Sequence, residues 1–560
     1  MSIRTDILAL NGGHDASATF VDKNGDLRVI EYERHCKKRY GIYTSDHDNS
    51  RLGTSSNARN KFLNYIRDNI IESPKHFIHS ELEDLDVKEV IEIFPSLLME
   101  YTMGHHRSHN YGSFCMSGFD EALCISLDGG GIDYVDDTGE MTTWTCAIYE
   151  ATGGEFNEIL STNDPSLGSK TDTINFNPGI YGIFGEFVST IGKGSTDVSN
   201  SDKYPLAHAG KMMGLAAYGE VREEWINPLR NFYLRHPFDF NETDDYPIIG
   251  GYALHVLMSE MGVHLTTDCF DGKDGYDLAA TNQYVFEELC FEFVKPFIEK
   301  YNKDVVFSGG CALNVLFNQK LKEYLTDIGL RLYVPPFPND CGLSFGHYAH
   351  FQKLTKFDPG PYCGIEILDE KDIDTYLEGR DVYTYTPQLV VDLIKQGKIG
   401  ALMNRYSEVG PRALGNRSII CDPSYPDMKD ILNSKVKFRE WFRPFAPVCL
   451  LEDKDLYFEK VFPTEYMSYA PIVRECWRKR LPAITHIDNT TRLQTVTKEQ
   501  HKEFYEILFE MKRRNIPSVI LNTSFNIKGR PILTTLEDAF YVLDNTELDF
   551  LITGTHLILK

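Results

Sequence analysis

Short apolar runs that end in glycine turns recur through the first half of the chain, and they constrain the fold more than any other feature. Ile7-Leu8-Ala9-Leu10 meets Asn11-Gly12-Gly13, Ala122 to Leu127 meets Asp128-Gly129-Gly130-Gly131, and Val305-Val306-Phe307-Ser308 meets Gly309-Gly310. Runs of this length with β-branched content predict buried strands, and glycines directly after them let backbone N–H groups approach a ligand. A helix is predicted from Ala312 to Tyr324, so that the Gly309-Gly310 pair opens onto a helix N-terminus. Strands at 7–10, 16–21 and 27–32, with Lys23-Asn24-Gly25-Asp26 as a further turn, complete an α/β pattern. Each glycine turn alone could be no more than a tight corner. Three together point to a phosphate or nucleotide site built on Gly129, Gly130, Gly309 and Gly310.

A second signal is Gly104-His105-His106-Arg107-Ser108-His109. On a helix, residues four apart share a face, so His105 and His109 suit one metal ion; the plainer alternative is two satisfied histidines. Asp128, at the end of a predicted strand, and Asp340, after Leu332 to Asn339 and before a helix expected to begin at Cys341, add two carboxylates. Two imidazoles and two carboxylates suit Fe(II), Mn(II) or Zn(II) and leave positions open for an oxygen-rich ligand.

The chain has 560 residues, 42% of them hydrophobic, which is enough for at least two domain cores. Its formal net charge of -25 opposes non-specific binding to nucleic acid or an anionic membrane. Small substrates are therefore expected. The twelve cysteines lie singly with no C-x2-C pair, which fits a reducing cytoplasm, and no apolar run approaches the roughly 20 residues of a membrane span. Residues 40–60 and 160–210 read as long polar loops or lids. Asp358-Pro359-Gly360-Pro361-Tyr362-Cys363 reads as an exposed link between domains 1–357 and 365–560. Beyond it the expected elements are helices at 388–397 and 428–434 and strands at 399–403 and 518–521.

The second half carries dense cations among Gly, Pro and aromatic residues: Arg412, Arg417, Lys435, Lys437, Arg439 and Arg443, then Arg492 and the turn Asn522-Thr523-Ser524-Phe525-Asn526. A solvated basic face is the plain reading. Interleaved Phe438, Trp441, Phe442 and Phe445 favour a partly buried pocket for phosphate or carboxylate oxygens.

Together these motifs resemble the O-carbamoyltransferases of the nodulation-factor and aminoglycoside antibiotic type. The resemblance rests on His14-Asp15-Ala16-Ser17-Ala18, His105-His106-x-x-His109, Lys211 to Gly219, Gly309-Gly310-Cys311-Ala312-Leu313-Asn314, Gly410 to Ser418, Phe438 to Pro447, Thr491 to Val496 and Asn522 to Asn526. These keep their order across almost the whole chain. The resemblance implies an actin-like (ASKHA) ATPase-fold domain, similar to the tRNA threonylcarbamoyl-transfer protein, followed by a YrdC-like domain. It implies that ATP and carbamoyl phosphate give carbamoyl-adenylate, whose acyl group passes to a substrate hydroxyl. By matching positions His105, His109, Asp128 and Asp340 would hold an iron-type divalent metal, with Mg accompanying ATP. Gly129, Gly130, Lys211, Gly309, Gly310 and Asn314 would contact nucleotide. Arg412, Lys437, Arg443, Arg492, Ser524 and Asn526 would surround carbamoyl phosphate and the adenylate.

His14 beside Asp15 is the candidate base for the acceptor hydroxyl, since imidazole titrates near neutral pH. Two departures from the family pattern stand out: Ala209 precedes Gly210-Lys211 where an acidic residue is usual, and Gly529-Arg530-Pro531 adds a cation. A small hydroxylated acceptor is expected, with no membrane partner and a homodimer possible in principle. A hydroxymethylated nucleotide or DNA base is the alternative, with Arg474, Arg478, Lys479, Arg480, Lys512, Arg513 and Arg514 as its basic face. A non-catalytic ATP-binding regulator and a two-His, one-carboxylate oxygenase are the readings from other classes.

Overall fold

A computed structural model describes residues 3–39, 41–43, 54–82, 84–134, 141–161, 176–182, 184, 205–235, 257–263 and 272–560. The chain forms two compact units, Met1–Thr102 with Pro335–Lys560, and Met103–Val334.

The first unit opens with a sheet of β1 (Ile7–Asn11), β2 (Ser17–Val21), β3 (Leu27–Glu31), β4 (His76–Ser80) and β5 (Met99–Thr102), in the order β3-β2-β1-β4-β5. The expected turns make β1 to β3 an antiparallel meander, whereas β4 pairs parallel with β1 after the helix Ser56–Asn69. That helix replaces the end of the loop expected over 40–60. Ser55 caps it, and Phe62, Leu63 and Ile66 recur at helical spacing and are buried against Leu8, Phe20 and Phe77. Residues 44–53 of that loop lie outside the described residues.

The second unit is built on β6 (Glu121–Tyr134), β7 (Met141–Thr152), β8 (Glu155–Ser161), β9 (Val305–Ser308) and β10 (Leu332–Tyr333), ordered β10-β9-β6-β7-β8. Here the structure corrects the sequence reading. β6 does not turn at Asp128 but runs on to Tyr134, with an irregularity in its pairing to β7 between Leu127 and Gly131. Glycines tolerate a bulge as readily as a turn, and the bulge re-aims Asp128. The helix expected from Ala312 begins at Val315, because Asn314 Oδ1 accepts the Phe317 N–H at 3.1 Å as its cap. Of the long loop expected over 160–210, residues 205–210 belong to the helix Pro205–Leu215. Residues 162–175 and 185–204 lie outside the described residues.

The remainder of the first unit is an eight-stranded mixed sheet. Its strands are β11 (Val382–Thr384), β12 (Gly400–Met403), β13 (Arg417–Cys421), β14 (Ala446–Leu450), β17 (Gln494–Val496), β18 (Val519–Ser524), β19 (Phe550–Thr553) and β20 (His556–Leu559); β15 (Phe458–Glu459) and β16 (Ile472–Val473) form a separate pair. Its order is β11-β20-β19-β12-β13-β18-β14-β17. Helices Pro387–Lys395 and Lys502–Arg513 bury Val390, Ile394 and Leu508 against one face.

The connection expected to be exposed is so at Asp358 and half-buried from Pro359 to Tyr362, but its end is packed down: the Val29 N–H donates to the Cys363 carbonyl at 2.9 Å, and Ile365 just beyond is buried among Leu8, Phe20 and Phe77. Pro and Gly mark a turn there, but the alternating apolar Cys363, Ile365 and Ile367 tie it to cores on both sides. The helix expected over 428–434 is α-helical only to Ile431 and continues as a π-turn, Leu432–Val436, a form often found beside functional sites. Among the described residues no helix is long and apolar enough to cross a membrane.

Candidate active site

In the second unit the helix His105–Ser117 starts at Gly104, and its first turn is satisfied from outside: the His106 N–H donates to Asp133 Oδ2 at 2.9 Å. The four-residue spacing brings His105 Nε2 within 3.2 Å of His109 Nε2, while His106 points elsewhere and shares a 2.8 Å hydrogen bond with Ser126 Oγ. Asp128 Oδ2 lies 3.2 Å from His109 Nε2 and 3.9 Å from His105 Nε2. Gly131 is required for this arrangement, since a Cβ there would stand 2.1 Å from the His105 ring. Asp128 is steadied by the Gly129 N–H on Oδ1 at 2.5 Å and the Gly310 N–H on Oδ2 at 2.8 Å. Burial opposes its ionisation, but the imidazoles of His105 and His109 outweigh this and hold the carboxyl well below its ordinary range.

These donors fit a transition-type ion. Two ligand atoms each about 2.1 Å from one metal in tetrahedral or octahedral geometry stand about 3.0–3.4 Å apart, which matches the closer two of the three separations. All three side chains are buried, so a cation there would be shielded from bulk water.

In the first unit Asp340 begins the short turn Asp340–Gly342, ahead of the helix Leu343–Gln352, which starts two residues later than expected. Its carbonyl accepts from Asn11 Nδ2 at 3.3 Å, and its carboxylate lies 3.3 Å from His14 Nε2. On the other side His14 Nδ1 lies 3.5 Å from Asp15 Oδ2, which also accepts from Asn339 Nδ2 at 3.1 Å. Burial lowers the proton affinity of His14, but Asp340 and then Asp15 reverse this and hold it well above its ordinary value. The expected His14–Asp15 pair is therefore adjacent, with Asp340 as a third member.

The residues expected to contact nucleotide divide into different local roles. Gly129 and Gly310 direct their N–H groups at Asp128. Gly130 lies in the bulge with φ +150°, and Gly309 precedes the turn Gly310–Leu313 with φ +85°. Asn314 caps its helix and exchanges two 3.1 Å hydrogen bonds with Gln283. Lys211 is buried on the helix Pro205–Leu215.

Several of the second-half cations lie near enough to influence one another. Burial, and then proximity to one another, lowers the proton affinity of Arg412, Lys437, Arg439 and Arg492. Arg443 acts on all four, and Arg412 is pushed down to about 10. Lys437 Nζ donates to the Ser524 carbonyl at 2.6 Å, Ser524 Oγ at 3.1 Å, the Asn526 carbonyl at 2.8 Å and Asn526 Oδ1. The Arg492 Nε is buried without a hydrogen-bond partner. Like charges held together repel, and Glu440, 3.6 Å from Arg443, offsets part of that repulsion. Three cations of the sequence reading fall outside the cluster. Arg417 is fully buried on the carbonyls of Leu533, Asn416 and Arg405; Lys435 is exposed; Arg530 lies 3.8 Å from Asp538.

Of the framing residues, Glu408, Tyr362 and Asn433 carried no motif signal, while Gly415 and Gln494 lie in the stretches Gly410 to Ser418 and Thr491 to Val496. Glu408 Oε1 accepts the N–H groups of Leu414 at 2.5 Å, Gly415 at 3.2 Å and Arg417 at 3.4 Å, which fixes the loop bearing Arg412. Gly415 has φ +133°, and a Cβ on it would meet His501 Nε2 at 2.2 Å. Gln494 Nε2 and Tyr362 Oη donate to the Leu414 carbonyl at 2.9 and 3.0 Å. Asn433, set by the π-turn, accepts from Arg439 Nε at 2.8 Å and donates to the carbonyls of Trp441 and Arg443 at 3.3 and 3.4 Å. Only their placement around a backbone reveals them.

Two family models match the chain, the carbamoyltransferase N-terminus over residues 75–348 and the carbamoyltransferase C-terminus over 391–560. The chain belongs to the carbamoyltransferase family and is a carbamoyltransferase enzyme. It is similar to nodulation protein NolNO of Sinorhizobium fredii, 28% identical over 98% of this chain and 79% of that protein. An uncharacterised protein of Methanocaldococcus jannaschii is 28% identical over 99% of each chain, and nodulation protein U of S. fredii is 27% identical over 76% of this chain and 72% of that protein. Among solved structures, full-length HypF aligns with 64% of this chain and 57% of its own at 15% identity and a TM-score of 0.35.

Proposed function

We propose that the chain is an ATP-dependent O-carbamoyltransferase that draws its acyl group from carbamoyl phosphate and delivers it to the hydroxyl of a small acceptor. The gathering of Arg412, Lys437, Arg443 and Arg492, with Lys437 tied to Ser524 and Asn526, carries this reading. Carbamoyl phosphate and ATP repel each other, and fixed guanidinium and ammonium groups offset that repulsion. Water hydrolyses carbamoyl phosphate to carbamate, inorganic phosphate and a proton; a carbamate oxygen then attacks the α-phosphorus of ATP, and pyrophosphate leaves. The acceptor oxygen then attacks the carbamoyl carbon, AMP leaves, and the hydroxyl proton passes to a base. These steps correspond to a YrdC-like activating domain and an actin-like transfer domain.

His105, His109 and Asp128 would hold a divalent ion, Fe(II) in preference to Mn(II) or Zn(II), and the resemblance adds Asp340 as a fourth ligand. Such an ion, when bound, neutralises the carboxylates and polarises the acyl-adenylate. His14 is our candidate to take the acceptor proton; it does so only in its neutral form, which Asp340 beside Nε2 and Asp15 beside Nδ1 disfavour, so transfer is expected to quicken as pH rises. Lys512, Arg513 and Arg514 pair with Asp453 and Glu510, and the net charge of -25 opposes a nucleic-acid acceptor, so we favour the small acceptor.

The test is incubation with ATP, carbamoyl phosphate and a panel of hydroxylated acceptors, followed by mass spectrometry. Pyrophosphate release that requires carbamoyl phosphate, together with a carbamoylated acceptor, is expected. Carbamoyl transfer that proceeds without ATP overturns the proposal.

A further inference from the structure

The helix His105–Ser117 carries two of the three clustered ligands and begins without a cap of its own. Gly104 stands at the N-cap position with extended backbone, φ -72° and ψ 145°, and its carbonyl accepts the Ser108 N–H at 3.1 Å. A serine, threonine or asparagine there would hold the first turn from within the helix. That task falls instead to Asp133 on β6, whose Oδ2 accepts the His106 N–H at 2.9 Å and whose carboxylate also bonds the Arg107 N–H. The two positions are matched, because a Cβ on Gly104 would collide with Asp133 Oδ1. Asp133 is only 2% exposed, and a carboxylate buried so deeply costs more desolvation than a local hydroxyl would, so helix stability alone does not account for it.

What Asp133 adds is a tie to one strand. β6 also bears Asp128, and Gly131, two residues before Asp133 and so on the same face, leaves the space that the His105 ring occupies. Asp128 meets His109, Gly131 meets His105, and Asp133 meets the main chain of His106, so three positions of one strand set the helix in register. We infer that Asp133 is a positioning residue for the metal site: gripping the first turn of the helix from the strand that bears Asp128, it fixes how far the His105 and His109 imidazoles stand from that carboxylate. The inference rests on the proposed reading of His105, His109 and Asp128 as ligands. Donors already held at the separations an ion requires bind it without first being rearranged.

Titration of the metal-free full chain with Co(II), followed by calorimetry and by the visible absorption bands of the bound ion, tests this. The native protein, Asp133→Ala, the double variant Gly104→Ser with Asp133→Ala, and His109→Ala are compared, with melting temperature measured alongside. Truncating Asp133 frees the space that a Cβ on Gly104 needs, and the serine hydroxyl then returns a cap to the helix without the tie to β6. Asp133→Ala is expected to bind Co(II) about tenfold or more weakly, with altered bands. The double variant is expected to regain the native melting temperature yet keep the weakened affinity, and it decides the question should Asp133→Ala alone not fold. Native Co(II) affinity in either folded Asp133 variant overturns the inference, since Asp133 is then a cap and nothing more. Failure of the ligand reading looks different: the native chain and His109→Ala then bind Co(II) alike, or neither binds it, and the inference falls with that reading.

Discussion

Arg34 Nη2 donates to the carbonyl of Gly410 at 2.6 Å, joining residues 376 positions apart. The same guanidinium bonds the Glu408 carbonyl and pairs with Glu31 at 2.7 Å, and it is fully buried. The loop that bears Arg412 is thereby clamped from the short helix Tyr32–Cys36 that follows β3. Arg34→Ala leaves Glu31 and two carbonyls buried without their partner, and is expected to cost about 3–5 kcal/mol. The urea midpoint should fall with little change in slope, and Arg34→Lys should recover only part of the loss, because an ammonium lacks the planar fork. A midpoint within error of native would show that the clamp is dispensable.

The three-ligand cluster separates neighbouring histidines by role. His105→Ala and His109→Ala are each expected to lower bound transition metal, measured by plasma mass spectrometry after purification, by at least about tenfold in affinity. His106→Asn keeps a hydrogen-bonding group toward Ser126 and should retain metal. Equal retention in all three variants would remove the metal assignment, and equal loss would point to the helix rather than the ligands.

How far the sequence announced this arrangement depended on whether a residue acts through its own type or through its surroundings. His105 and His109 were legible because helical spacing alone sets them on one face. Arg412, Lys437, Arg443 and Arg492 were legible because cations among aromatics have few inexpensive alternatives. β6 was misread at Asp128, since three glycines specify permissiveness and not direction, and only pairing with β7 decides between turn and bulge. Glu408, Arg34 and Asn433 were invisible, because a buried polar side chain that holds backbone groups leaves no periodicity, and Gln494 was noticed only as part of the stretch Thr491 to Val496 and not for its role. Arg417 misled for the same reason, being a cation whose partners are main-chain carbonyls.

Mutual repulsion within the cation cluster gives a prediction of opposite signs. Arg492 is disfavoured by burial and then by Arg412, Arg443 and Arg439, and its Nε lacks a partner. Replacing it by Met keeps the packing of its stem and removes a charge. Arg492→Met is expected to raise the melting temperature of the ligand-free chain by a few degrees at low ionic strength, less at high salt. The same variant should lose most of the stabilisation that ATP or carbamoyl phosphate gives the native chain, since that stabilisation follows ligand affinity. A lower melting temperature without ligand would mean that Arg492 serves the framework.

His35 should make the first unit sensitive to acid. Burial, then the nearby Lys61, lowers its pKa to about 4, and its ring packs against Phe62 and Tyr65 at 5.4 Å. An unfolded histidine titrates near 6.5, so between about pH 6.5 and 4 the unfolded chain binds more protons and stability rises with pH. The contribution of neutral His35 is therefore complete above about pH 6.5 and is lost as pH falls through about 4, with a ceiling of about 3 kcal/mol set by the size of the shift. His35→Phe removes the titration while filling the site. The difference in unfolding free energy between native and variant, measured by urea titration at intervals from pH 7.5 to 4, should move in favour of the variant as the medium is acidified, and a flat difference across that range would exclude His35 as the source of acid sensitivity.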